Sequence, residues 1–217
     1  MAGRIILDKK LIEIRDDLLR LASMVDQAIA RSAYALVDRD MALAQQINAS
    51  DDAINRLRFT IEESCYNLLA TQQPNSTDLR IVVGTVSVAT NLERIGDHAA
   101  GVARLVLRIA DAPALSPLVA LPQMAEISRW MVGQAVKAFD ERTILLAEQV
   151  IERDDQVDLL NRKVYDDLIT LMMATPAVIE RATLLLWVAH NYERIGDRAT
   201  NICERAIYVT TGELKEI

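Results

Sequence analysis

The sequence predicts an all-α protein made of two tandem three-helix bundles, six long helices that arose by internal duplication. Three observations carry that expectation. Apolar residues make up 51 % of the chain while only seven glycines and five prolines interrupt it, so long helices rich in Ala, Leu, Ile and Val have both propensity and a core to bury. The heptapeptide Asn91-Leu-Glu-Arg-Ile-Gly-Asp97 returns one hundred residues later as Asn191-Tyr-Glu-Arg-Ile-Gly-Asp197 with a single change, which marks a repeat. Between the Pro-containing breaks, apolar residues recur at helical rather than strand spacing.

In order, Leu7, Leu11, Ile14, Leu18, Leu21 and Val25 form a heptad-like stripe on a first helix running from about Arg4 to Asp38. A second helix spans Asp40 to Gln72 with Ile47, Ile54, Leu57, Ile61, Cys65 and Leu68 on its buried face. Pro74-Asn-Ser-Thr77 makes a turn, and Ser76 or Thr77 is the expected cap of the third helix. That helix carries the first signature, with Val88, Leu92, Ile95, Ala99, Val102, Val106 and Ile109 as its stripe, and ends near Ala110. The stretch from Asp111 to Pro122, with Pro113, Pro117 and Pro122, reads as the interdomain linker. The pattern then restarts: a helix to about Phe139, another from near Arg142 to Ala174, and a last one to about Thr211, opened by Thr175 as cap and Pro176 at the first helical position. The organisation is a first bundle over 1–111, a Pro-rich linker over 112–122 and a second bundle over 118–217. Second helices also correspond, since Asp51-Asp-Ala-Ile-Asn55 resembles Asp154-Asp-Gln-Val-Asp158 at an offset of 103.

A net charge of −7 and a pI near 4.9 argue against nucleic-acid binding, because no segment supplies the basic face that phosphate contacts need. No apolar run is long enough for a membrane span, and the charged N-terminus does not read as a signal peptide, which leaves the cytoplasm as the expected compartment. Cys65 and Cys203 are two lone thiols in different halves, neither a disulfide framework nor a zinc knuckle.

Chemistry is expected at the signatures. Glu93 with Asp97, and Glu193 with Asp197, stand at i and i+4, one turn apart on one helix face and well off the buried stripe. Thr90, Gly96 and Ala100 beside them, and Gly196, Ala199 and Thr200 in the copy, are small enough to leave the carboxylates uncovered. If the second and third helices of each half pack side by side, Asp51 with Asn55 joins the first pair and Asp154 with Asp158 the second. Such a set of oxygens suits Mg²⁺, Mn²⁺, Fe or a similar hard cation rather than a zinc or copper site of His and Cys. The competing reading is a solvated acidic face, which accounts for one pair but not for the same residues in the same order twice. Arg94 and Arg194 are read as ion-pair partners of acids on neighbouring helices, Gly96 and Gly196 as points of close helix contact, and His98 and His190 as surface or packing residues. No Glu-x-x-His pair, Gly-rich phosphate loop or nucleophile with a paired base is present, so catalysis is not expected. A metal-dependent enzyme or metal-storing bundle using the same carboxylates is the alternative.

The doubled signature, the lead-in from Pro74 to Arg80 and the two half-length helical units resemble the PhoU family over roughly residues 5 to 212. That resemblance implies a cytoplasmic negative regulator of phosphate uptake and of the phosphate-starvation response. It implies contact with the ATPase subunit of the phosphate ABC transporter and with a membrane sensor histidine kinase. A homodimer is expected instead from the long apolar helices, and no insertion into the membrane from the short apolar runs. The resemblance further implies metal clusters held by acidic i, i+4 motifs, carried here by Glu93 and Asp97, Glu193 and Asp197, Asp154 and Asp158, and Asp51 with Asn55. Asn55 departs from the pattern: an amide brings one oxygen and no charge, so the first-half site is expected to bind more weakly or to use Asp52.

Overall fold

In the computed structural model, which describes residues 2–109, 115 and 120–213, long helices α1 (Ala2–Asp38) and α2 (Met41–Thr71) are joined by two residues only. Arg39 turns the chain at φ 55°, and Asp40 N–H then donates to Ala35 O at 3.1 Å, the αL reversal that normally takes glycine. The second half repeats it: between α4 (Ala120–Glu141) and α5 (Ile144–Ala174), Arg142 adopts φ 56° and Thr143 N–H donates to Ala138 O at 3.0 Å. The duplication thus reaches down to a strained backbone turn that neither sequence copy announces.

Helix α3 (Ser76–Ile109) starts differently from the expectation. Asn75, not Ser76 or Thr77, is its cap, because the Asn75 amide oxygen accepts from Thr77 N–H at 2.9 Å and Asp78 N–H at 3.0 Å. Thr175 likewise makes no side-chain cap bond; Pro176–Val178 form a single 3-10 turn before α6 (Ile179–Thr211), which ends at Gly212 with φ 82°. Of the linker expected over 112–122, only Leu115 and the residues from Ala120 are described, and Pro122 falls in the first turn of α4, where a missing N–H costs nothing. The linker prolines Pro113 and Pro117, and Ser116, lie outside the described residues.

The three stripes hold, with every named position buried except Leu11, which is partly exposed and packs on the core. α2, α3, α6 and α5 pack side by side in that order, α1 lies against α2 and α3, α4 against α5 and α6, and α1 meets α4. One continuous apolar core therefore includes residues of all six helices. The halves are further tied by Arg15 to Asp140, with Nη2 to Oδ2 at 2.7 Å, and by the paired bonds of Arg129 to Asp26 at 2.7 and 2.8 Å. The single residue by which the signatures differ sits at this junction. Tyr192, where the first copy has Leu92, is fully buried; its hydroxyl lies 3.3 Å from Ser32 Oγ on α1, and its carbonyl accepts from Ser128 Oγ on α4 at 2.9 Å. Among the described residues no helix is long and apolar enough to cross a membrane.

Candidate functional site: two acidic grooves

Gly96 and Gly196 explain how each site is assembled. A Cβ at Gly96 would lie 3.1 and 3.2 Å from Ile54 Cδ1 and Cγ2 and 3.9 Å from Asp51 Oδ1; one at Gly196 would lie 2.8 Å from Asp154 Oδ1. Glycine in the signature therefore lets α2 approach α3, and α5 approach α6, and it brings the acid of the outer helix onto the signature face. This bears out the expectation that these glycines mark close helix contact and corrects the one that they leave the carboxylates uncovered, since both are buried beneath the neighbouring helix.

In the first groove, Asp51 from α2 meets Glu93 and Asp97 from α3. Burial, then the Asp97 carboxylate, push Asp51 above the usual carboxylate range, while Arg104 acts the other way. Glu93 is raised by burial and Asp97 and opposed by Arg58 and Arg94. Asp97 itself is exposed, Asn55 is half-buried, and Asp52 points to solvent. The buried Asp51 Oδ1 and Asn55 Oδ1 have no hydrogen-bond partner.

The second groove gathers more acid. Asp154 from α5 is pushed up to about 6 by burial and then by Asp197, Asp158, Glu193 and Asp155 in turn, with no cation among the causes. Glu193 is raised by burial and Asp197, and Asp197 by burial, partly offset by Arg194. The Arg194 guanidinium lies between the signature acids, 3.1 Å from Glu193 Oε2 through Nε and 2.9 Å from Asp197 Oδ2 through Nη1. It pairs with acids of its own helix, not with a neighbouring helix as the sequence suggested. Glu193 Oε2 is buried and meets Arg194 without hydrogen-bond geometry, and His190 Nδ1 stands 3.5 Å away.

The structure brings together Asp51, Glu93 and Asp97 in one groove and Asp154, Asp158, Glu193 and Asp197 in the other, among the groups the sequence singled out, while Asn55 stands one turn from Asp51 on α2. Sequence reasoning missed the basic residues among them, Arg58, Arg104 and Arg198, and it placed His190 away from chemistry although the ring stacks edge-on against Trp187 and lies beside Glu193. The signature asparagines also have a role unread in the sequence. Asn91 Nδ2 donates to Ser87 O at 3.0 Å and Asn191 Nδ2 to Trp187 O at 2.7 Å, leaving the Asn191 oxygen free to accept from His98 Nδ1 at 3.1 Å across the α3–α6 crossing. Burial holds His98 below its ordinary pKa, with the hydrogen bond to Asn191 acting the other way.

An all-oxygen donor set with orphaned buried oxygens fits a hard cation in its chemistry. Among the described residues no three His, Cys, Asp or Glu side chains stand close enough together to hold an ion as they are. Closing either groove on a cation requires the carboxylates to swing inward, and in the second groove Arg194 to withdraw from the place between Glu193 and Asp197. Cys65 and Cys203 are buried, with thiols pushed up to about 12, and supply no ligand.

Comparison with known proteins agrees with this architecture. The model of the PhoU domain matches residues 18–106 and again 121–206. A phosphate-specific transport system accessory protein PhoU homolog of Aquifex aeolicus is 38 % identical over 206 residues, covering 95 % of this chain and 93 % of that protein. The crystal structure of PhoU from Pseudomonas aeruginosa superposes with a TM-score of 0.91 at 33 % identity, covering 95 % of this chain and 99 % of that one. The phosphate transport system regulatory protein PhoU from Streptococcus pneumoniae gives 0.90 at 32 %, covering 97 % and 100 %. With its duplicated signature, its six-helix body and near full-length similarity to these relatives, the chain belongs to the PhoU domain family.

Proposed function

We propose that the protein is a non-enzymatic regulator of phosphate supply. It restrains phosphate uptake and the phosphate-starvation response by docking, from the cytoplasm, on the ATPase subunit of the phosphate ABC transporter and on the sensor histidine kinase. The observation that carries this reading is near full-length similarity to phosphate transport accessory proteins in a chain whose repeated signature builds carboxylate grooves. A bound Mg, Mn or Fe cation would supply positive charge between facing carboxylates. Asp154 and Asp158 on α5, with Glu193 and Asp197 on α6, would hold it; Asp51, Asn55, Glu93 and Asp97 are the first-half counterparts. Relieving the repulsion that raises Asp154 would fasten α5 to α6 and fix the surface offered to a partner. The chain acts as a homodimer in this reading, a state that a sedimentation experiment resolves directly.

Affinity capture of the tagged full chain from phosphate-replete cells tests the partner assignment. The transporter ATPase or the sensor kinase should copurify, and capture of neither from membranes that contain both would defeat the docking reading.

A further inference from the structure

Beside each signature, toward the start of its helix, the two halves differ in shape. Helices α2 and α5 are both 31 residues long, so the offset of 103 holds along them. In the first half Arg58 occupies the place between α2 and α3: its side chain is only 18 % exposed, pairs with Glu62, lies 3.8 Å from the Phe59 ring centroid and acts on Glu93. Glu62 also accepts from the Tyr66 hydroxyl at 2.6 Å. The second half has Asn161 where Arg58 stands and Tyr165 where Glu62 stands, and α6 carries Trp187 and His190 where α3 has Ser87 and Thr90. A short amide cannot span what the guanidinium spans. Between α5 and α6 the result is an open groove of about 740 Å³.

Its walls are aromatic. Tyr165 is 56 % and Trp187 54 % exposed, His190 stacks edge-on against Trp187 with centroids 5.5 Å apart, and Leu186 and Asp166 complete the lining. Neither nearby arginine takes the place of Arg58. Arg162, at the rim, is 74 % exposed and reaches Asp158 only at 4.0 Å, while Arg194 stays on Glu193 and Asp197 of its own helix.

We infer that this groove receives an arginine side chain from a basic segment of a partner protein, filling in trans the place that Arg58 fills in cis. A planar guanidinium can stack on Trp187 or Tyr165 and donate to the Asp166 carboxylate at once, a combination that a lysine ammonium or an apolar side chain satisfies only in part. The inference rests on the docking reading above and adds where, and through which side chain, the partner is engaged. A foreign basic segment complements the net charge of −7, whereas a second copy of this chain carries the same charge.

Trp187 fluorescence of the full chain in a Trp130→Phe background tests the chemistry. The probe is a short acetylated, amidated peptide of leucine, alanine and arginine, compared with its twin carrying neutral citrulline for arginine. The arginine peptide should shift the emission saturably and bind at least about threefold tighter than the twin. Asn161→Arg with Tyr165→Glu, the first-half residues at those positions, should abolish the shift, and Phe59→Ala in the other half should leave it unchanged. Tyr165→Ser alone serves if the double variant does not fold, and should weaken binding about threefold. Equal binding of the two peptides, or a shift that survives closing the groove, would overturn the inference. In phosphate-replete cells, p-benzoylphenylalanine in place of Trp187 should crosslink to an arginine-bearing segment of the transporter ATPase or the sensor kinase. A crosslink to a second copy, or capture of those partners undiminished in the closed variant, would overturn the groove as docking site and leave the docking reading standing. Capture of neither partner by the wild type, with arginine-selective peptide binding intact, would defeat the docking reading and leave the arginine groove standing.

Discussion

Gly196→Ala separates two explanations of the signature glycine. In a helix interior the change is worth roughly 1 kcal/mol of stabilisation from propensity alone. The new Cβ would make ordinary contacts with Met131 Cε at 3.7 Å and Val157 Cγ1 at 3.8 Å, and its only conflict is with Asp154 Oδ1 at 2.8 Å. That oxygen ends a short, partly buried side chain with room to rotate outward, so the propensity gain should survive as a net change between 0 and about 1 kcal/mol. Gly96→Ala should behave oppositely. Its Cβ meets two carbons of Ile54, a branched and buried side chain, and crowding of that kind costs about 1–3 kcal/mol, more than propensity returns. Urea unfolding of both variants at pH 7.5 reads the stabilities, and carboxyl NMR follows Asp154, whose pKa should fall from about 6 toward the ordinary carboxylate range as the side chain leaves the groove. A loss of more than about 2 kcal/mol in Gly196→Ala would refute the reasoning, because it would mean that helix packing, not the carboxylate, requires glycine there.

Other consequences concern protons and the junction between halves. Asp51, Glu93, Asp154, Glu193 and Asp197 are all raised in the folded protein, chiefly by burial. Groups with raised folded pKa values favour the native state while protonated and lose that contribution as pH rises through them. For Asp154 the window runs from its unfolded value of 3.8 up to about 6, so its contribution to melting temperature should rise as pH falls from 7.5 to 5.5, against the opposite contributions of His98 and His190, which burial holds below their ordinary 6.5 and which favour the native state less as pH falls through that value. Asp154→Asn should flatten that dependence, and an unchanged pH profile would count against the burial of these acids. Tyr192→Leu makes the two signatures identical and should cost roughly 2 kcal/mol in urea unfolding, through lost ring volume and the lost Ser32 contact. A neutral result would show that this position does not join the halves.

Much of the fold was legible because helix pattern is local: Ile47 to Leu68 and Val88 to Ile109 could be placed on buried faces from spacing alone. Convergence of Asp51 on Asp97 was also within reach, since it needed only the packing of two sequence-adjacent helices. Cap identity was not, because Asn75, Ser76 and Thr77 all carry suitable oxygens and the choice depends on where the backbone turns. The left-handed turns at Arg39 and Arg142 were hidden for a related reason: arginine gives no cue for positive φ, and only the matched geometry of both copies reveals it. Arg58 and Arg104 escaped notice because their reach across the groove depends on side-chain direction. Comparing the two halves position by position, Arg58 with Asn161 and Arg104 with Glu204, is the signal that could have found them.

The role proposed for this chain is restraint of the phosphate response. Expression of phosphate-scavenging genes in a host lacking its own copy, grown in rich phosphate with and without the protein, measures that directly. Repression restored by the protein is the result predicted here, and scavenging genes equally active with and without it would contradict the account.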